Sequence, residues 1–324
     1  MTSGCIGIVG AGAFGTALAV SLAREGKSVT LWSRDAAQCA AMRATGVNSA
    51  RLPGVPLPKN VSITAGIDDL IACEAVLLSV PMQALRGFLS GEGQHLNGLP
   101  LVACCKGVDL TTLSGPSQII ATCAPASSRA ILTGPSFATD IANGLPTALT
   151  LACNDEVLSI SLQHLLSTTN LRLYRTDDLI GAELGGALKN VIAIAAGVTI
   201  GAGLGDSARA ALMTRGYAEM TRLAISFGAR AETLSGLSGL GDLVLTCTSA
   251  QSRNFRYGHA LGSGEGFDPS ITVEGAATAK AVSRLAETRG LDLPVTQMVA
   301  ALIEGRLDLR SAVQALLSRP LKKE

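Results

Sequence analysis

The sequence predicts an α/β protein: a mostly parallel sheet covered by helices, followed by an all-α C-terminal part. Three observations carry that expectation. Short β-type runs alternate with helix-type stretches up to about residue 177. Beyond that point strand signals stop and long helical stretches dominate. A glycine-rich turn, Gly10–Gly15, sits between the first expected strand and the first expected helix.

The elements follow in order. Cys5–Val9 is apolar and β-branched, Phe14–Glu25 has helical periodicity, and Ser28–Trp32 is a second strand after which Asp35 is placed to cap a helix. Further strands are expected at Ala75–Ser79, Leu101–Cys104, Ala130–Leu132, Thr147–Ala152 and Leu171–Tyr174. Such alternation implies parallel βαβ units. Helices are expected over Gly181–Gly197, Asp206–Phe227, Glu274–Arg289, Pro294–Glu304 and Asp308–Leu317. The change of pattern divides the chain into a dinucleotide-binding domain, 1–178, and a helical substrate-binding domain, 179–324.

Composition narrows the function. The chain has 324 residues, enough for two cores, and is 48% hydrophobic and 16% charged, which excludes a disordered polymer. A net charge of +1 gives no electrostatic case for nucleic acid. Eight cysteines without a Cys-x-x-Cys pair lie mostly in apolar runs, which reads as reduced thiols and a cytoplasmic setting. Residues 1–23 carry no charged side chain, but a signal peptide would need a basic segment ahead of the apolar one. The uncharged run Asn190–Gly205 has 16 residues and four glycines, shorter than the roughly 20 apolar residues of a membrane span, so no membrane insertion is expected. Helices as apolar as 186–205 serve either an internal core or a homodimer interface.

Gly10–Ala11–Gly12–Ala13–Phe14–Gly15 is a G-x-G-x-x-G run between strand and helix, the context that makes this pattern a Rossmann-like dinucleotide fingerprint. Gly10 permits the tight turn, Gly12 the approach of a pyrophosphate, and Gly15 close helix–strand packing. Arg34 stands at the tip of the second strand, where a guanidinium pairs with the 2′-phosphate of NADP; Asp35 behind it is the residue type that suits NAD, or a helix cap. NADP is therefore favoured, with NAD as a second cofactor. Ser79–Val80–Pro81 closes another strand, where Pro81 serves either a loop along the cofactor or a helix start.

The three histidines, His95, His164 and His259, lie in polar or surface contexts, and no metal-ligand spacing or nucleophile elbow is present. Lysine chemistry remains. Lys189 sits in Gly181–Gly197, where Glu183 is the only other charge. Burying an ammonium is costly, and a lysine with its pKa lowered by desolvation is a candidate general base. Lys106 follows an apolar strand and precedes Gly107, at a strand's carboxyl end. Two cations near one site favour an anionic substrate. Gly134–Pro135–Ser136–Phe137–Ala138 offers a hydroxyl and free amides, and Ser252–Arg253–Asn254 a hydroxyl, a guanidinium and an amide, though the latter also reads as a surface loop. Asp242 either caps the helix over Leu243–Thr246, orients Lys189, or binds a substrate hydroxyl.

With these residues the chain resembles the bacterial-type NAD(P)-dependent sn-glycerol-3-phosphate dehydrogenases almost end to end. The shared motifs are Gly10–Gly15, Leu52–Pro53–Gly54, Ser79–Pro81, Lys106–Gly107, Gly134–Ala138, Gly144–Thr147, Glu183–Asn190, Leu237–Asp242, Ser252–Asn254 and Val273–Gly275. The resemblance implies reversible hydride transfer between NAD(P)H and dihydroxyacetone phosphate, supplying phospholipid synthesis. It further implies that Lys189 is the proton acceptor and that Lys106 touches both cofactor and substrate. Gly134, Ser136, Asp242, Ser252, Arg253 and Asn254 then match substrate positions. Ala13, Phe14, Arg34, Ala138, Arg253, Thr272 and Glu274 match cofactor positions. Two rival readings are a 3-hydroxy-acid dehydrogenase of similar build and a catalytically silent NAD(P)-sensing module; the apolar setting of Lys189 speaks against the second.

Overall fold

The computed structural model describes residues 4–312. Eight strands form one sheet: β1 (Cys5–Val9), β2 (Ser28–Trp32), β3 (Val61–Thr64), β4 (Ala75–Leu78), β5 (Leu101–Ala103), β6 (Arg129–Thr133), β7 (Thr147–Ala152) and β8 (Leu171–Thr176). Their order is β3-β2-β1-β4-β5-β6-β7-β8. The first six run parallel; β7 reverses against β6, and β8 runs parallel to β7. Chain order switches direction between β1 and β4, the place in an open α/β sheet where ligands gather at carboxyl ends of strands.

The helices are α1 (Ala13–Arg24), α2 (Ala36–Thr45), α3 (Met82–Ser90), α4 (Pro116–Cys123), α5 (Ala138–Ala142) and α6 (Glu156–Leu166) around the sheet. Beyond it come α7 (Leu179–Gly201), α8 (Gly205–Ser226), α9 (Ala231–Ser235), α10 (Asp242–Thr248), α11 (Arg253–Ser263), α12 (Glu274–Arg289) and α13 (Pro294–Ile303). The expected strands are all present, most within one or two residues of their expected ends. β3 was not foreseen: Val61–Thr64 is four residues long and polar on alternate positions, too brief a signal to separate from loop. Of the helix expected over Asp308–Leu317, residues 309–312 are helical and residues 313–317 lie outside the described residues.

α7 is the axle of the helical half. It is long and apolar enough to cross a membrane by length and composition, yet 83% of its most apolar window is buried within the protein. The alternative of core or dimer face is thus resolved as core for this helix. It can be surrounded so completely because its small residues admit close neighbours. A methyl group placed on Gly197 would lie 2.1 Å from the Phe255 carbonyl oxygen, and one on Gly201 2.2 Å from that of His259. Reciprocally, a methyl on Gly258 would lie 2.0 Å from the Ile194 carbonyl and one on Gly262 2.3 Å from that of Val198. Backbones in such contact fix α11 against α7, and with it the position of the α11 N-terminus. At the other end, Gly185 and Gly186 let α7 approach the turn Leu237–Gly241 and the end of β6.

Candidate active site

The first wall is the turn between β1 and α1. Gly10 has φ +107, open to glycine and strained for other residues. A methyl there would also meet the Ser79 carbonyl at 2.8 Å, and one on Gly15 would lie 2.1 Å from the Gly10 carbonyl. Gly12, in contrast, has nothing within 4 Å of where its side chain would begin. It is the N-cap of α1, without a side-chain cap and without an acidic residue in the first turn. Ala13 and Phe14 continue into the helix, half-buried, with backbone N–H groups at its open end. This cradle fits a dinucleotide pyrophosphate: close where packing demands it, open where backbone amides meet an anion.

The turn is held from behind by two residues that sequence reasoning did not single out. Asn48, buried, donates to the Ala11 carbonyl at 3.0 Å and to Thr16 Oγ1 at 2.8 Å, and Gln38 donates to the same carbonyl at 3.0 Å. At the tip of β2, Asp35 takes its capping role, accepting from Ala37 N and Gln38 N. Its carboxylate is thereby engaged, while Arg34 beside it is exposed. Pro81 is the residue preceding the first turn of α3, the helix-start alternative.

The second wall comes from the carboxyl ends of β5 and β6 together with the helical half. Lys106 follows β5; its Nζ donates to Asp242 Oδ2 at 2.5 Å and to the Gly134 carbonyl at 3.0 Å. Gly134, with φ +136, follows β6, and the Ser136 hydroxyl donates to the same carbonyl at 3.2 Å. Lys189, from the middle of α7, has its Nζ 3.0 Å from Asp242 Oδ1 and donates to Thr246 Oγ1 at 2.6 Å. Thr246 donates in turn to Asp242 Oδ1 at 3.1 Å. Asp242 opens α10 directly after a π-helical turn, Leu237–Gly241, the kind of irregularity that aims a side chain inward. Two ammonium groups therefore share the two oxygens of one carboxylate whose side chain is 2% exposed.

The electrostatics follow from burial. Desolvation lowers the Lys189 pKa to about 8, helped by the Lys106 charge and opposed by Asp242. Burial pushes the Asp242 carboxyl up, but Lys106 and Lys189 outweigh it and leave its pKa lowered. Asp242 is thus an anion holding an amine poised to change protonation near neutral pH. Thr246 was missed by the sequence reading; the available signal was its position four residues after Asp242, on the same helix face.

The remaining expected residues lie at the starts of α5 and α11, and on α12 and its approach. Ser252 caps α11 by accepting from Phe255 N at 3.2 Å, so Ser252–Arg253–Asn254 is a helix start rather than a surface loop. Asn254 donates to Asn190 Oδ1 at 2.9 Å and accepts from Gly275 N at 2.9 Å, tying α11 to α7 and α12 next to Lys189. Arg253 is exposed at the α11 start. Glu274 begins α12; burial raises its pKa, while the charges of Arg253, Lys106 and Lys189 and an N–H from Met82 act against that rise. Ala138 begins α5. Thr272 is exposed in the segment leading to α12.

A glycine turn that fits a pyrophosphate at the sheet switch point, together with a buried amine–carboxylate cluster at the carboxyl ends of neighbouring strands, is the arrangement of a nicotinamide-dinucleotide-dependent dehydrogenase. Residues 5–159 match the N-terminal part, and residues 178–314 the C-terminal part, of the NAD-dependent glycerol-3-phosphate dehydrogenases. The chain belongs to that family. It is 64% identical over 319 residues to a glycerol-3-phosphate dehydrogenase [NAD(P)+] of Cereibacter sphaeroides, covering 98% of this chain and 100% of the relative. It is 60% identical to that of Roseobacter denitrificans, covering 98% of this chain and 99% of the relative. The crystal structure of glycerol-3-phosphate dehydrogenase from Coxiella burnetii superposes with a TM-score of 0.93 at 39% identity, covering 98% of this chain and 100% of that one. The expectation of an NAD(P)-dependent oxidoreductase of this fold is thereby met.

Proposed function

We propose that this enzyme reversibly reduces dihydroxyacetone phosphate to sn-glycerol 3-phosphate in the cytoplasm and supplies phospholipid synthesis. The observation that carries the reading is the convergence of Lys106 and Lys189 on Asp242 at the carboxyl edge of the sheet. Residues 1–178 hold the dinucleotide and residues 179–324 complete the substrate site. No role for nucleic acid or a membrane is included.

When bound, the nicotinamide accepts or delivers the hydride; the chain's own residues hold substrate and manage the proton. In reduction, Lys189 Nζ gives a proton to the carbonyl oxygen as negative charge develops there. In oxidation, the neutral amine removes the hydroxyl proton. Its pKa of about 8 lets one group serve both directions. Lys106, beside it, stabilises the developing alkoxide among largely buried side chains. Asp242 holds both amines in the site before substrate enters, and Thr246 fixes the rotamer of Lys189 by accepting from it. The substrate phosphate is bound by Arg253 and the N–H groups at the α11 N-terminus, with Gly134 and Ser136 lining the opposite side. Gly10, Gly12, Ala13, Phe14, Gly15, Arg34, Lys106, Ala138, Arg253, Thr272 and Glu274 line the path of the cofactor.

Following NADPH absorbance with dihydroxyacetone phosphate tests this. Wild-type protein should consume NADPH, and Lys189→Ala should lower turnover at least about a hundred-fold with NADPH affinity nearly intact. Near-normal turnover in that variant would remove the lysine from the chemistry. A wild type active on phosphate-free 3-hydroxy acids but not on this substrate would favour the rival reading.

A further inference from the structure

Thr133, the last residue of β6, is 2% exposed, and its Oγ1 is fully buried without a hydrogen-bond partner among the described residues. Such a hydroxyl is unfavourable against an isosteric methyl group, so its place in the fold matters. It immediately precedes Gly134, whose carbonyl holds Lys106. It also faces the glycine notch of α7: a methyl on Gly186 would lie 2.7 Å from Thr133 Oγ1. The same point is 3.6 Å from Lys106 Cγ and 3.7 Å from Cδ. The unpartnered hydroxyl and the stem of Lys106 thus flank one notch, three residues ahead of Lys189.

Lys106 has the complementary surplus. An ammonium has three N–H donors, and two are engaged, by Asp242 Oδ2 and the Gly134 carbonyl. An anionic substrate entering this cluster competes with Asp242 for the ammonium. When the lysine turns toward the substrate it loses its shortest contact and needs another neutral acceptor to fix its direction. A neutral hydroxyl suits that role better than a second carboxylate, because it orients the charge without cancelling it.

We propose that Thr133 is a positioning residue of the reaction, whose hydroxyl accepts from Lys106 Nζ when substrate draws the ammonium from Asp242. This rests on the function proposed above. The side chain touches no reacting atom; it acts through Lys106.

The experiment compares Thr133→Val, Thr133→Ser and wild type in the full-length enzyme, with Lys106→Met and the double variant closing a cycle. Thr133→Val should raise the melting temperature of the unliganded protein, because an unpartnered hydroxyl is removed. It should leave the NADPH dissociation constant unchanged and lower kcat/KM for dihydroxyacetone phosphate about ten- to a hundred-fold, the range for a hydrogen bond to a charged group. Thr133→Ser should restore most of that activity. In the Lys106→Met background, Thr133→Val should have no further effect on kcat/KM.

Unchanged kcat/KM in a stable Thr133→Val variant would overturn the proposal, as would a serine variant as poor as valine, which would point to packing by the methyl group. Additive losses in the double variant would also overturn it. Should Thr133→Val fail to fold, Thr133→Ala against Thr133→Ser decides by the same criteria. A wild type inert toward dihydroxyacetone phosphate would instead defeat the functional reading itself.

Discussion

At the scale of single residues, the site is governed by how one buried carboxylate divides itself between two amines. Desolvation moves the Lys189 pKa from an ordinary 10.5 to about 8. A lowered pKa means that the neutral amine, required for oxidation, is populated at lower pH than for a solvated lysine. Oxidation of sn-glycerol 3-phosphate should therefore show kcat/KM rising through an inflection near pH 8, and reduction of dihydroxyacetone phosphate should fall through the same inflection. Rate profiles in both directions check this; a reductive profile flat to pH 10 would contradict it. Lys189 was legible in the sequence because a charge amid alanine and isoleucine needs a reason, and Asp242 because it stands between a glycine turn and an apolar run. The sharing of Asp242 by Lys106 was not, since it joins residues 136 positions apart. At the other end of the cofactor site, Asp35 had two readings in the sequence, and its bonds to Ala37 N and Gln38 N satisfy the cap. The exposed Arg34 is then free for a 2′-phosphate. Arg34→Ala should weaken NADPH binding about ten-fold, the size of a charge-assisted contact, and leave NADH binding nearly unchanged, as measured by titration with each cofactor. Equal losses for both would place Arg34 elsewhere.

At the scale of elements, helices position the site through contacts that a linear reading does not reveal. The glycines of α7 and α11 are visible in the sequence, but which backbone each one admits is a tertiary fact. The same holds for α11 itself. Arg253–Ser263 is polar and carries two glycines, so its start reads as loop until α7 supplies the surface that stabilises it. The half-buried Glu183 shows a further link. It leaves α7 to accept from Ser117 N at 2.5 Å and Ser117 Oγ at 2.7 Å, capping α4, whose own N-cap is Gly115. Burial raises its pKa from 4.5 to about 6, against the pull of the Ser117 hydrogen bonds and Arg129. A carboxyl with a raised folded-state pKa favours folding most below pH 4.5, and that contribution is lost as pH rises through 6. Glu183→Gln should therefore abolish about 2 kcal/mol of the wild-type stability decline between about pH 3.5 and 7. Urea denaturation of both proteins across that window measures it. An unchanged pH dependence in the glutamine variant would show that Glu183 ionises normally.

At the scale of the molecule, the sequence showed two halves but not how far their interiors merge. Leu179 and Ala182 of α7 pack in one core with Val76, Leu101 and Ile120 of the sheet half, while Val108 of the sheet half packs among the helices. Polar links cross between the halves as well: Lys106 to Asp242, Ser117 to Glu183, and the exposed Thr139 Oγ1 to Gln251 at 2.9 Å. Separating the halves would expose apolar surface on each and leave the Lys189–Asp242–Lys106 cluster short of a charge, a change that costs about 3–5 kcal/mol when a buried partner is removed. Neither half then has a favourable folded state alone, so the protein should unfold in one step despite its length. Two probes report the halves separately. The single tryptophan, Trp32, is buried in the sheet half, with its Nε1 donating to the Ala65 carbonyl at 3.1 Å and its ring 5.4 Å from that of Phe88. Far-UV circular dichroism is weighted toward the long helices α7, α8 and α12. Urea midpoints from tryptophan fluorescence and from circular dichroism should coincide, and saturating NADPH should raise both by the same amount, because a ligand of the native state stabilises every part that unfolds with it. A dichroism midpoint well below the fluorescence midpoint, unmoved by NADPH, would mean that the helical half melts first and that the catalytic cluster is assembled only when the two halves dock.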